Sequence, residues 1–247
     1  VQEKYVTISI PQRKIEESRA YFRRVDANLT QSFGRLDSGA WEISMQERLR
    51  LLHDFFRPGE EELFSYEQAS VLRRGMDFRD LICPDGLRFR DSYFEMGDKF
   101  GRVLFLKDFG SYLRDDMIAD LSAISRSLVL SIDILPIPTD EAVREVESRI
   151  LGIETDITRW QQRQNDKNNF SASVPYELEQ LRAEAKEYLA DLTVRDQRMM
   201  FAVVTLVHIA DTLEQRNADT ETRRTIGREH SCHFATLYYQ QADGFNT

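Results

Sequence analysis

An α+β fold follows from three features of the sequence. Residues 102–107, 128–135, 199–210 and 234–239 are alternating or continuously apolar stretches of strand length. The segments between them have helical spacing, and two of these carry matching heptad seams. Residues 102–239 therefore read strand, helix, strand, helical pair, strand, helix, strand. Setting the pair aside leaves β-α-β-β-α-β, the ferredoxin-like order, with helices inserted where a tight turn would join the second and third strands. Closure entropy grows only logarithmically with loop length, so the insertion is tolerated.

In chain order, residues 5–10 alternate and are β-branched, which predicts a strand closed by Pro11. Residues 13–33 place Ile15, Phe22, Val25, Leu29 and Phe33 at helical spacing, with Gly34 and Gly39 at the exit. Residues 41–44 predict a second short strand. Ser44 stands three residues before Glu47, a capping box opening a helix over 46–56 that Pro58 and Gly59 end. Residues 58–99 lack a sustained period and read as a connecting region with short helices, a turn at Pro84-Asp85-Gly86 and short strands flanking Gly97.

After the strand at 102–107, a helix over 111–124 carries Leu113, Met117, Ile118, Leu121 and Ile124. The strand at 128–135 turns Leu128, Leu130, Ile132 and Ile134 to one side and Ser131 and Asp133 to the other. Thr139 can cap a helix whose seam is Val143, Val146, Ile150, Ile153, Ile157 and Trp160. A polar loop over 161–174 leads to Pro175, suited to a first helical turn, and to a second seam, Leu178, Leu181, Ala185, Tyr188 and Leu192. Two such seams joined by a polar loop describe an antiparallel hairpin of helices long enough to project from a small domain. The apolar run 199–210 predicts a strand covered on both faces, followed by a polar helix over 212–229 and a last strand over 234–239.

Three segments result: 1–57, a β-α-β-α segment; 58–99, the connecting region; and 100–247, the ferredoxin-like unit with its helical hairpin at 139–193. The 247 residues, 41% hydrophobic and 30% charged with 11 Gly and 6 Pro, exclude a disordered or collagen-like chain. A net charge of -9 disfavours a protein whose main work is coating phosphates. The longest strongly apolar run without a charge, 199–210, is too short to span a bilayer, which takes about 20 residues. Two cysteines, Cys83 and Cys232, make no disulfide framework and fit free thiols in a reducing compartment. The chain opens on Val1, with no charged stretch leading into an apolar one, and closes soon after a strand-like stretch. This argues against a signal peptide and reads as an excised piece of a longer protein.

Chemistry is mostly absent from the residues. Neither G-x-x-x-x-G-K-[ST], nor G-x-G-x-x-G after a strand, nor G-x-S-x-G occurs, so common nucleotide sites and the serine elbow have no seat here. No catalytic, cofactor-binding or metal residue is expected. His230, Cys232 and His233 are the one metal-like cluster, but alternation splits His233 from the other two and no second cluster completes a ligand set. His53 and His208 lie among apolar residues and read as core histidines. Asp115 and Asp116 diverge by about 100° on a helix, and Glu60, Glu61 and Glu62 read as solvated loop. A nucleic-acid reading would use Tyr238 and Tyr239 on the sheet with Arg223, Arg224 and Arg228, but the Lys/Arg-Gly-Phe/Tyr signature is missing.

Several stretches resemble a known family. Residues 47–56 (ERLRLLHDFF), Pro84-x-Gly86-x-x-Phe89, Phe94-x-Met96-Gly97 through Phe100-Gly101, Met117-Ile118-Ala119-Asp120 and Arg198-Met199 are similar to the N-terminal region of the conjugal-transfer ATPase of type IV secretion systems, in the variant found in conjugative elements of Gram-positive bacteria. The resemblance implies a RecA-like domain downstream that binds ATP and Mg. It implies a scaffold role for this part: docking to membrane proteins of the secretion complex and to neighbouring ATPase subunits at the inner face of the cell membrane. The alternative, from another class, is a single-stranded nucleic-acid-binding module.

Overall fold

A strand is stable only where its backbone donors and acceptors find partners, so the sheet is fixed by which apolar stretches reach one another. The structure, a computed structural model, describes residues 3–246 apart from 68–72, 74, 76, 111, 112, 115, 125, 126 and 170–172. Among these residues it has one short 3-10 helix (Glu61–Leu63) and eight α-helices: α1 (Ile15–Gly34), α2 (Met45–Phe56), α3 (Arg79–Ile82), α4 (Asp116–Ser122), α5 (Thr139–Asp166), α6 (Tyr176–Thr193), α7 (Leu213–Glu229) and α8 (Gln241–Phe245). Six strands, β1 (Leu87–Phe89), β2 (Phe94–Met96), β3 (Lys99–Phe109), β4 (Leu128–Pro136), β5 (Met200–Ala210) and β6 (Cys232–Thr236), form one antiparallel sheet. The fold is α+β.

β3 is the central strand. Residues 100–105 pair with β5 on one edge, and the other edge is shared by β2, at 99–101, and β6, from Leu104 onward. Val103 falls in the gap between them. There the buried Gln241 side chain takes a strand's place: its Oε1 accepts from Val103 N at 2.9 Å and its Nε2 donates to Val103 O at 3.1 Å. β4 pairs with β5 along its whole length, from Leu128 opposite His208 to Pro136 opposite Met200.

Alternation gives the sheet two apolar faces. On one, Leu104, Leu206 and Phe234 pack against Met117 and Leu121 of α4 and Ile226 of α7. On the other, Phe94, Met96, Val103, Val207 and Ile209 pack against Phe55 and Phe56 of α2 and Phe245 of α8. The Phe245 ring lies 4.9–5.8 Å from those of Phe55, Phe56, Phe89 and Phe94. Gly101 is required here, because a Cβ at that position would stand 2.0 Å from Phe94 Cζ.

Several elements match the sequence reading and several do not. The capping box is present: Glu47 N donates to Ser44 Oγ at 3.2 Å and Ser44 N to Glu47 Oε2 at 2.7 Å. The strands expected at 5–10 and 41–44 are absent. No other strand reaches those stretches, and unpaired β-propensity leaves the chain irregular, so the opening β-α-β-α segment holds two helices only. α1 buries no residue. The sheet takes in β1 and β2 from the expected connecting region, with β2 and β3 flanking Gly97, whose φ is +59°.

The helix expected over 111–124 is shorter, Asp116–Ser122, and residues 111, 112 and 115, Asp115 among them, lie outside the described residues. α5 runs to Asp166, beyond its last seam residue, and Thr139 is its first residue rather than its cap. Pro175 sits just ahead of α6. β6 starts earlier than expected, at Cys232, and the chain then turns into α8, which sequence patterning did not foresee.

Candidate functional site

The register that makes the sheet also makes an arm. β3 parts from β5 at the Phe105/Thr205 pair, while β4 and β5 stay paired as far as Pro136 and Met200. From there on the two form a ribbon with no further strand on either edge among the described residues. One face of the ribbon presents Ile132, Ile134 and Met200, and the other Val203, Leu135 and Phe201. Ile134 is 57% exposed, Leu135 65% and Phe201 63%. The expectation that the run 199–210 is covered on both faces therefore fails for its first half. Only the second half lies over the helices that bury a sheet.

The ribbon carries the helical hairpin. At its base Ile137 N donates to Met199 O at 3.0 Å, and Ile137 and Met199 pack with Ala142, Val146 and Leu192. Farther out Ile153, Ile157 and Ala185 close the seam with Leu178, so α5 and α6 run antiparallel. Leu189, not Tyr188, fills the inner position on α6, and Leu181 and Tyr188 face solvent. α5 and α6 together hold twelve acidic and six basic side chains, so most of the chain's negative excess sits on the hairpin. Outer backbone edges that no described strand pairs with, two apolar faces and an acidic flank can engage a strand or an apolar surface of opposite charge.

A second feature lies under α7. This helix meets the sheet through Arg216, Asp219, Thr220, Arg223 and Gly227, all buried. The Thr220 hydroxyl donates to Arg216 O at 2.9 Å. Its oxygen then accepts from Arg102 Nη1 at 3.1 Å, so His208 Nε2, 3.0 Å away, is the donor on that side. His208 is held neutral, its pKa pushed down to about 3 by burial and then by the charges of Arg223, Arg102 and Arg216. Burial also lowers Arg102, to about 10, with Arg216 and Arg224 adding repulsion.

The other residues singled out by sequence are dispersed. His53 is buried against the Phe64 ring, with Nδ1 3.2 Å from Asp54. Glu60 pairs with Arg57 at 2.9 Å, Glu61 accepts from Gly59 N, which lowers its pKa, and Glu62 is exposed. His230 Nε2 lies 2.9 Å from Asp120 and its Nδ1 3.4 Å from Asp116, which ties α4 to the end of α7. Cys232 is buried, with burial raising its thiol pKa, and His233 is exposed, so the three do not converge. Among the described residues no group of three or more His, Cys, Asp or Glu could hold a metal ion. Cys83 is an exposed free thiol.

The basic cluster expected on α7 dissolves in the same way. Arg223 is buried against the sheet, Arg224 bonds Glu221 and Thr236, and Arg228 is exposed. Tyr238 and Tyr239 lie beyond β6, outside the sheet face. Sequence reasoning missed the roles of Arg102, Arg216 and Thr220. The available signal was the three- and four-residue spacing of 216, 220, 223 and 227, a core-facing period occupied by polar types. No family model matches the chain, and no curated protein matches it.

Proposed function

We propose that this chain is a non-catalytic assembly domain of a conjugative type IV secretion ATPase that energises DNA transfer, and that the β4–β5 arm with its acidic hairpin is the surface that docks. The exposed apolar ribbon is the observation that carries this reading. Monomeric proteins rarely keep contiguous apolar patches on both faces of a projecting element unless something covers them. The resemblance noted above supplies the machine, and with it the partners: membrane proteins of the secretion complex and neighbouring ATPase subunits, met in the cytoplasm at the inner face of the membrane. No helix among the described residues is long and apolar enough to cross a membrane.

The strand order β6-β3-β5-β4 supports a finer reading of the fold as a ferredoxin-like unit with the hairpin inserted between its second and third strands. The acidity of α5 and α6 favours a basic partner surface and disfavours pairing of one arm with another.

The test is transfer in cells. With Ile134 and Phe201 both changed to Asp in the parent ATPase, DNA transfer falls at least tenfold while the amount of protein and its ATPase rate hold. Unchanged transfer removes the docking role. Micromolar binding of ATP to the present chain, measured by isothermal titration, would sink the non-catalytic assignment.

A further inference from the structure

Independently of the assembly role, the geometry points to an oxyanion site at the outer end of the α7–sheet interface, where Arg102 and Arg216 together hold a phosphate group in place of the Asn217 side-chain oxygen. Both guanidiniums converge on that one neutral atom: Arg102 Nη2 is 3.2 Å and Arg216 Nη2 2.9 Å from Asn217 Oδ1. The remaining bonds of Arg102 go to Ser92 O and Thr220 Oγ1, also neutral. Arg216 is only 4% exposed, and its Nε and Nη1 are buried without a hydrogen-bond partner.

A buried arginine is ordinarily matched by a carboxylate, because an uncompensated charge away from water is costly. Among the described residues neither Arg102 nor Arg216 has a carboxylate within 4 Å, and the nearby Glu221 is taken by Arg224 at 2.7 Å. The Tyr93 ring, 4.3 Å from the Arg216 guanidinium carbon, holds that group in place from one side. Asn217 itself is exposed, so its amide can swing aside and leave Arg102 Nη2 and Arg216 Nη2 to donate to a ligand arriving from solvent.

Charge selects the ligand. Two cations with no anion between them are balanced by a phosphate dianion, whereas a single carboxylate balances one. The mutual repulsion of Arg102 with Arg216 and Arg224, which helps to lower the Arg102 pKa, is relieved by the same dianion. A terminal phosphate, free or on a small molecule, is therefore the fitting group.

The experiment follows thermal unfolding of the whole chain in sodium phosphate, sodium acetate and sodium chloride at matched ionic strength. Phosphate is expected to raise the midpoint saturably, and acetate and chloride are not. Asn217→Asp supplies a carboxylate at the shared position without disturbing a buried residue. It is expected to melt higher than the parent without phosphate and to bind phosphate at least tenfold more weakly. Arg102→Gln is expected to lose the phosphate response. A parent with no saturable response, an Asn217→Asp chain that responds like the parent or melts no higher, or acetate acting as well as phosphate would each overturn the site. A single-stranded oligonucleotide lacking terminal phosphate that binds as tightly as phosphate would overturn the dianion reading in favour of nucleic acid.

Discussion

The β4–β5 pair passes through two environments without changing its register. At one end Leu128, Leu130 and Leu206 pack with Met117 and Leu121 on one face, and Val207 packs with Phe55, Phe56 and Phe245 on the other. At the other end Ile134, Leu135, Phe201 and Val203 have the same residue types and the same pairing, yet stand in solvent. Strand propensity and the β4–β5 pairing are alike at both ends, but β5 gains β3 as a second neighbour only from Thr205 to Ala210, so the third strand and the helices together decide which half becomes core. A free two-stranded ribbon is marginal in water. This one is held by the hairpin packed at its base, which orders the outer half without covering it.

The largest effect that could break this comparison comes from matched truncations. Leu206→Ala, at a fully buried position of the inner half, should lower unfolding stability by about 4 kcal/mol, because it removes packed atoms and leaves a cavity. Ile134→Ala, on the arm, should cost less than about 0.5 kcal/mol, as surface substitutions do. Urea unfolding of the two variants decides the matter, and equal losses would mean that the arm is as well packed as the body. Gly101→Ala comes next, at about 3 kcal/mol, because the new methyl group must displace the Phe94 ring at the centre of the aromatic cluster.

A smaller effect separates the halves by pH. In the folded chain His208 titrates at about 3, against about 6.5 when unfolded. Between those values the unfolded chain binds a proton that the folded one refuses, so stability from this group rises with pH from about 3 to 6.5 and is level above. The slope is at most about 1.4 kcal/mol per pH unit. His208→Gln keeps a donor toward Thr220 and should remove that slope, which the difference between the two proteins' urea midpoints at pH 5 and pH 7 will show. An identical pH dependence would mean that His208 is not held neutral.

What could be read from sequence divides by range of interaction. The Ser44–Glu47 box is local and was legible, as were the heptad periods of α5 and α6 and the four strands from β3 onward. Whether Tyr188 or its neighbour Leu189 turns inward depends on the rotation of α6 against α5, which only the partner helix sets. Residues 5–10 had the composition of a strand without a strand to join. The Arg102–Asn217–Arg216 meeting joins β3 to a helix over a hundred residues later, and no spacing rule reaches that far.

The arm's two exposed faces offer the smallest expected change in stability. Replacing both Ile134 and Phe201 by Ser leaves the register intact, because both side chains point away from the strand pairing and neither belongs to a buried cluster. Unfolding free energy should then move by less than about 0.5 kcal/mol. If the ribbon is the chain's principal uncovered apolar surface, the same two changes should markedly weaken binding of an apolar fluorescent dye, while Leu181→Ser on the outer side of α6 should weaken it little. A large loss of stability in the double variant would show that the ribbon is already packed against something within the chain. Dye binding that survives the double change would move the docking surface elsewhere. Dye binding lost without loss of stability is the outcome that separates a surface kept for a partner from a surface kept for folding.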